Sequence, residues 1–287
     1  MSRLSRRGVT IVELMVALVI TATIGAALLR LLLHQGKFMD QQDAWRNARA
    51  VSRSGVNLLT SELRMVEATG GLDAATASGQ DFTVRVPYAF GVVCSSTGSL
   101  TTVTMLPVDS LMFAEAGASG LAWRDAATAT YTYTTTAPTI TSPGTTANCT
   151  GAGITNVPAS GTSPAGKVID LTATLSPAPA AGSLLFLYRK IRYEFKASTA
   201  VPGRNGLWRT VSGQTPQEVA APFDTTARAA FFVLNGTTSQ TTVPSPLTNA
   251  RGLELRLNGS SEATPRGSTA PKNSNVVTAV YFTNRPD

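Results

Sequence analysis

The sequence predicts an α+β fold in which one long N-terminal α-helix packs on a mainly antiparallel β-sheet head. Two observations lead to this prediction. Residues 9–33 are almost uniformly apolar, and residues 34–69 repeat apolar side chains at spacings of three and four. Beyond Gly71 the composition shifts to Thr, Ser, Gly, Ala and Pro, with strand-like runs between turn signals. This second region is long enough to bury a core of its own.

A short basic segment, residues 1–8, precedes the apolar helix and contains Arg3, Arg6 and Arg7. Residues 9–33 would span about 37 Å as a helix, which is enough to cross the hydrocarbon core of a membrane. By the positive-inside rule, the arginines place the N-terminus in the cytoplasm and the chain beyond Arg30 on the far side. The sequence therefore predicts a single-pass protein whose larger part lies outside the cytoplasm.

Glu13 is the only acidic residue in this apolar segment. A carboxylate near the start of a membrane-length helix costs roughly 2–3 kcal/mol unless it is paired with a cation. We therefore expect Glu13 to pair with a positive group, and a liberated chain terminus is the best candidate. The alternative is that Glu13 lies one turn from the helix start and reaches the membrane interface by snorkelling.

Three other interpretations of the N-terminal segment compete. A secretory signal peptide could be cleaved after Ala27, in the small-residue run from Gly25, although the apolar helix simply continues through residues 28–33. The Ser5-Arg6-Arg7 sequence is similar to a twin-arginine signal. A plain membrane anchor is the third alternative. None of the three accounts for Glu13.

The sequence Arg7-Gly8-Val9-Thr10-Ile11-Val12-Glu13-Leu14 resembles the class III leader of type IV prepilins and type II secretion pseudopilins. The resemblance implies that a prepilin peptidase cuts between Gly8 and Val9 and methylates the new N-terminus at Val9. It also implies that Glu13 pairs with the N-terminal amine of a neighbouring subunit during assembly. Glycine suits the cleavage position because it removes the side chain where extended backbone enters a peptidase cleft. Valine replaces the more usual phenylalanine or methionine after the cut.

Residues 34–69 are predicted to continue the helix as an amphipathic segment, giving one helix of about 60 residues. No proline occurs between Val9 and Thr69, so a continuous helix is expected, ended by Thr69-Gly70-Gly71. A coiled coil is the alternative, but the apolar stripe is too irregular for sustained heptads. Residues 57–64 resemble the matching stretch of PilW-type minor pilins and J-type pseudopilins. The predicted inward face comprises Phe38, Trp45, Ala48, Ser52, Val56, Leu59, Leu63 and Val66.

Residues 70–287 are predicted to form one β-rich head, and the order of helix then sheet resembles the ladle shape of pilins. Residues 188–195 and 206–209 resemble the late hairpin of PilW-type proteins. Residues 137–166 and 259–275 are predicted as long surface loops or partly disordered segments. The predicted strands are 82–86, 101–106, 129–135, 168–173, 184–195, 207–211, 230–234, 253–257 and 276–282.

Cys94 and Cys149 are the only cysteines. Because the far side of the membrane is oxidising, a disulfide between them is expected, with two unrelated thiols as the alternative. His34 is the only histidine, so a Ser-His-Asp or Cys-His catalytic site and a histidine metal site are not expected. No glycine-rich phosphate loop follows a strand. The sequence therefore predicts no enzyme, no metal site and no cofactor.

Three Asn-x-Ser/Thr tripeptides, which begin at Asn148, Asn235 and Asn258, match glycosylation acceptors. With a bacterial-type leader, these residues are interpreted as turn residues.

The resemblance implies a minor pilin that is stored in the bacterial inner membrane with its head in the periplasm. It would then be assembled into a type IV pilus, in the initiation or tip complex. The implied partners are major and minor pilins or pseudopilins through the N-terminal helix, the prepilin peptidase and the inner-membrane assembly platform. The bulk of the chain favours a minor over a repeated shaft subunit.

Three alternative functions stay open: a J-type pseudopilin of a type II secretion system, a DNA-binding competence pilin, and an adhesive tip protein. A net charge of +7 would favour phosphate binding. However, Arg189, Lys190, Arg192, Arg204 and Arg209 lie among few aromatic residues suited to base stacking. A nucleic-acid partner is therefore not favoured.

Overall fold

A computed structural model describes residues 10–115, 117–125, 127–161, 164–233, 236 and 238–283. Its first element is helix α1, Ile11–Leu63, which runs without interruption for 53 residues. Thr10 caps the helix, and its Oγ1 accepts a hydrogen bond from the backbone N–H of Glu13 at 3.3 Å. The prediction of one continuous helix is confirmed.

The helix ends earlier than the sequence predicted, at Leu63 rather than at the Thr69-Gly70-Gly71 terminator. The cause is a long-range pairing with the C-terminal end of the chain. The backbone N–H of Thr283 donates to Val66 O at 2.7 Å, and that of Ala68 donates to Thr283 O at 2.8 Å. These bonds take the backbone of residues 66–68 out of helical geometry. Gly70 instead adopts a left-handed conformation in the turn that follows.

The head is one twisted sheet whose pairings between named strands are all antiparallel across the described residues. Two short helices, α2 and α3, and a 3-10 turn at Leu247–Asn249 interrupt the strand sequence. In chain order the elements are β1 Leu72–Ala75, β2 Asp81–Ser96, β3 Leu100–Met105, α2 Pro107–Glu115, β4 Gly120–Arg124, β5 Tyr131–Tyr133, β6 Thr139–Thr141, α3 Thr146–Gly151, β7 Lys167–Thr172, β8 Leu184–Ala197, β9 Asn205–Val211, β10 Gln217–Phe223, β11 Arg228–Val233, β12 Ala250–Ser260 and β13 Asn273–Tyr281.

Strands β2 and β8 form the main strand pair of the head, since they pair along most of their lengths, from Asp81 with Glu194 to Val92 with Leu184. The main path of the sheet is β11-β12-β10-β9-β8-β2-β3-β7-β6. Strand β1 joins at β2, β13 at β12, and the β4–β5 pair at β8. The predicted α+β fold, a long helix on a mainly antiparallel sheet, is confirmed.

Two hydrophobic clusters lie along this sheet. The proximal core lies against α1 and includes Leu59 and Leu63 of the helix together with Phe82, Tyr193 and Phe231 of the sheet. The distal core lies at the other ends of β2 and β8. It includes Val103, Met105, Leu121, Trp123, Ile169 and Leu187. The two long strands therefore connect the helix-bound part of the head to the part that the helix does not reach.

All nine predicted strands overlap observed strands, although Leu234 of the predicted 230–234 segment lies outside the described residues. The sequence missed β1, β4, β6 and β10 because they are short or lack a β-branched run. The segment 137–166, predicted as a loop, contains β6 and α3, and the second predicted loop shrinks to the residues between β12 and β13. Each of these segments is ordered by pairing between strands: β6 pairs with β7, and β12 pairs with β13.

The predicted turn roles of the Asn-x-Ser/Thr tripeptides are wrong at two of the three positions. Asn258 lies inside β12. Asn148 lies on α3 and donates a hydrogen bond to Thr102 Oγ1 at 2.8 Å. Asn235 lies outside the described residues.

Cys94, near the end of β2, and Cys149, on α3, form a disulfide in the structure. Both residues are buried beside Val168. The bond closes a chain separation of 55 residues and ties α3 to the distal part of the sheet.

We predict that a Cys94→Ser/Cys149→Ser variant has a free energy of unfolding lower by about 2–4 kcal/mol, because the open chain gains conformational entropy when it unfolds. Urea unfolding of the detergent-solubilised chain, followed by the fluorescence of buried Trp123, would measure the loss. Wild-type protein under reducing conditions should behave like the variant. Equal stability of the oxidised wild type and the variant would contradict the prediction.

Candidate assembly site on the N-terminal helix

The first half of α1 makes no contact that buries its apolar side chains in this chain. Ile11 is 81% exposed, Leu18 is 64% exposed and Leu32 is 63% exposed. This is the one candidate membrane span among the described residues, by length and composition. Because uncovered apolar surface of this extent is unfavourable in water, the segment needs either lipid or other helices around it.

Glu13 lies in the first turn of this uncovered helix and is exposed. Within the described residues it takes part in no salt bridge, and its backbone N–H bonds to the Thr10 cap. The N-terminal position is favourable for an anion because the helix dipole is positive there. The predicted cleavage residues Gly8 and Val9 lie outside the described residues. The structure thus presents a carboxylate on an apolar surface with no partner among the residues it describes.

The second half of α1 is fixed to the head through a row of small residues. Ala44, Ala48, Ser52 and Gly55 are buried against the sheet. Ser52 Oγ donates to Ser274 O at 2.7 Å and accepts a hydrogen bond from the N–H of Gly259 at 2.8 Å. A Cβ on Gly259 would collide with the backbone oxygen of Ala48. Small residues on both surfaces therefore allow the helix backbone to lie directly on β12 and β13.

Glu62 fixes the C-terminal end of α1 to the sheet through an ion pair. Its Oε1 lies 2.7 Å from Nη2 of Arg209, and its Oε2 accepts a hydrogen bond from the hydroxyl of Tyr193. Burial raises the pKa of Tyr193 well above its ordinary value, and the nearby Glu62 carboxylate raises it further. Burial opposes the charge on Arg209, but the bonds to Glu62 hold the pKa of Arg209 above its ordinary value. Arg209 therefore stays charged at physiological pH.

The sequence placed Phe38 and Trp45 on the inward face of the helix, and the structure shows that this was wrong. Phe38 is 62% exposed and Trp45 is 40% exposed. Phe38 and Trp45 lie on a side of α1 next to the buried row that begins at Ala44, and the head does not cover that side. Val56 is partly buried against the proximal core, and Ala48, Ser52, Leu59, Leu63 and Val66 are buried as predicted.

The basic residues considered for phosphate binding are largely engaged within the head. Lys190 Nζ lies 3.1 Å from Asp73 Oδ2, and Arg192 pairs with Asp81. Arg189 stacks over the ring of Tyr88 at 4.6 Å. Arg209 pairs with Glu62, and Arg204 makes a long contact with the carbonyl of Gly203 at 3.4 Å. Four of these five cations are therefore engaged by acidic or aromatic side chains of the head.

In the described ranges between residues 10 and 283, no three His, Cys, Asp or Glu side chains are grouped as a metal ion would require.

We predict that Glu62→Ala lowers the free energy of unfolding by about 1–3 kcal/mol, because it leaves the partly buried Arg209 without its carboxylate partner. Asp43→Ala is the matched control, since it removes a solvent-exposed ion pair 3.6 Å long on the same helix and should change stability by less than about 0.5 kcal/mol. Thermal unfolding of the two variants checks this. Equal effects would show that the Glu62 pair does not hold the helix to the head.

A family profile for the prokaryotic N-terminal methylation motif matches residues 3–29. No curated protein and no solved structure shows a significant match to the chain. The matched motif covers the basic leader, Gly8, Val9 and Glu13. It points to a structural rather than an enzymatic protein, with a helix suited to anchoring in a membrane. The motif, at the start of a chain built as one long helix and an antiparallel sheet, indicates a type IV pilin-like protein of the prepilin type.

Proposed function

We propose that this protein is a minor pilin that is cleaved between Gly8 and Val9, methylated at Val9 and assembled into a type IV pilus as part of its initiation or tip complex. The observation that carries the proposal is the methylation motif, with Glu13 five residues beyond Gly8, on a helix whose first half the head leaves uncovered. A filament of packed helices supplies both things that this segment lacks, apolar neighbours and a cation.

Before assembly, the apolar half of α1 lies across the inner membrane, with the leader in the cytoplasm and the head in the periplasm. The disulfide between Cys94 and Cys149 fits this oxidising compartment. Removal of Arg3, Arg6 and Arg7 with the leader lowers the formal net charge from +7 to +4. The cut therefore removes the charges that hold the N-terminus in the cytoplasm and creates a new amine at the start of the helix.

During assembly, the carboxylate of Glu13 pairs with the N-terminal amine of Val9 on a neighbouring subunit. In a low-dielectric surrounding an unpaired carboxylate is strongly unfavourable, so docking is favoured in the one register that brings the two charges together. The apolar surface of residues 11–33 supplies the attraction, and Glu13 selects the axial position.

The size of the head supports a minor rather than a repeated role. It contains a proximal core against the helix and a distal core beyond it, joined by β2 and β8. A minor pseudopilin of a type II secretion system is the second candidate. Residues 57–64, which include Glu62, resemble J-type pseudopilins as well as PilW-type minor pilins, so this stretch supports both candidates. The two candidates differ in the filament that takes up the protein.

We predict that co-expression with a prepilin peptidase yields a mature chain that begins at N-methylated Val9. Mass spectrometry of the purified protein measures this. Gly8→Leu should block the cut because its side chain fills the space that the extended backbone needs, whereas Gly25→Ala should be processed normally. Cleavage after Ala27, or retention of the leader by wild-type protein, would refute the assignment.

We predict that Glu13→Val is processed normally but that its incorporation into sheared pili falls roughly ten-fold or more, because the register-selecting charge pair is lost. Quantitative immunoblotting of pili and membranes measures the partition. Thr21→Val, an exposed substitution in the same apolar segment, is the control and should be incorporated like wild type. Unchanged incorporation of Glu13→Val would show that the pair is not needed. Uptake into a secretion pseudopilus instead of pili would favour the second candidate.

A further inference from the structure

Five exposed side chains on α1 form a continuous surface that the head does not cover. They are Phe38, Trp45, Arg46, Arg49 and Arg53, and we refer to them as the outer face. At 3.6 residues per turn they fall within an arc of about 100° that adjoins the buried row of small residues. The outer face extends for about 22 Å along the helix. It is therefore a second, uncovered side of the segment that carries the head.

The outer face carries positive charge that the chain does not neutralise. Among the described residues, Arg49 and Arg53 form no salt bridge. Arg46 lies 3.6 Å from Asp43, but both side chains are largely exposed, at 79% and 65%. Like charges three and four residues apart on a helix repel one another, so the row is unfavourable in the isolated chain. A partner that brings carboxylates would relieve this repulsion.

The chemical composition of the outer face is that of a protein interface. Aromatic residues and arginine are the types most enriched at such interfaces and among the residues that dominate binding energy. Trp45 and Arg49 are separated by one helical turn, so a partner can cover the indole ring and reach the guanidinium group at the same time. The combination favours a protein surface over a bare polyanion.

We propose that the outer face docks a carboxylate-bearing helix of a neighbouring, different pilin-type subunit in the filament, an inference that rests on the proposed function. In the filament of the proposed function the uncovered apolar half of α1 packs among other helices, and the outer face continues that surface beyond the membrane. Acidic side chains at spacings of three and four on a partner helix would meet Arg46, Arg49 and Arg53 in order. Arginine forms bidentate pairs with carboxylates, which would fix the partner's axial position.

A second copy of this chain does not fit as the partner. Beyond the membrane half, α1 carries three carboxylates, and each has a cation in the same chain. Asp40 lies 3.5 Å from Arg266, Asp43 lies 3.6 Å from Arg46, and Glu62 lies 2.7 Å from Arg209. A second copy brings its own three arginines and no unpaired carboxylate on this segment, which favours a different subunit with free acidic residues.

A membrane surface does not fit the outer face either. Trp45 lies twelve residues beyond Leu33, or about 18 Å along the helix. That exceeds the depth of the lipid headgroup region, which is about 5–8 Å on each side of the hydrocarbon core. Arg49 and Arg53 lie still farther away.

The test uses the full-length chain expressed together with the complete pilus machinery, and it compares two charge-reversal variants. Arg49→Glu/Arg53→Glu should be processed to N-methylated Val9 like wild type, while its incorporation into sheared pili falls roughly ten-fold. Arg124→Glu/Arg228→Glu makes the same change in net charge at exposed positions of the head and should be incorporated normally. Resistance of the heads to protease checks that each variant is folded.

Unchanged incorporation of Arg49→Glu/Arg53→Glu beside normal wild type, or an equal loss in the control, would overturn this inference and leave the proposed function standing. Absence of wild-type protein from all filaments would overturn the proposed function and this inference with it.

A photo-crosslinking amino acid at position 49 identifies the occupant in sheared pili, with position 47, exposed on another side of the helix, as the control. The expected product at position 49 joins a different pilin-type subunit at a helical peptide that contains Asp or Glu. A product with lipid, with DNA or with a second copy of this chain would overturn the inference.

Discussion

The structure depends on one constraint: the first half of α1 is apolar all round, and its own chain provides nothing to cover it. A soluble domain would fold this segment into its core, but here the first residue of α1 that the head buries is Ala44. The segment is therefore stable only in lipid or among other helices. Glu13 makes this dependence selective, because lipid can accept the apolar side chains but cannot neutralise a carboxylate.

The remainder of α1 shows how a helix can serve two neighbours at once. One side is built from Ala48, Ser52 and Gly55, which let the backbone lie directly against β12 and β13. Leu59 and Leu63 extend into the proximal core, and Glu62 adds an ion pair with Arg209 at the C-terminal end of the helix. The head is thereby fixed to helix α1. The outer face of the helix stays available. A force applied to the helix would pass directly into the sheet.

Periodicity and local composition were sufficient to predict much of this architecture. The continuous helix followed from an apolar run without proline, and β8 followed from its run of aromatic and apolar residues. Only residues 82–86 of the 16-residue strand β2 were predicted. The end of the helix at Leu63 could not be predicted, because it depends on Thr283, which lies more than 200 residues away. Phe38 and Trp45 continue the three- and four-residue spacing of apolar side chains. That spacing does not indicate which part of the helix the head covers. Short strands such as β6 are ordered by their partner and carry little signal of their own.

The pairing of Thr283 with Val66 and Ala68 also implies an order in which the parts of the chain fold. The face of α1 that carries Ala48 and Ser52 is closed by β12 and β13, which are the last strands of the chain. The helix is synthesised first and its covering strands more than 200 residues later, so the chain between them must be made before the two can meet. Such distant pairings form slowly. Until β12 and β13 have been made, the nascent head is therefore an incomplete sheet beside an uncovered face of the helix.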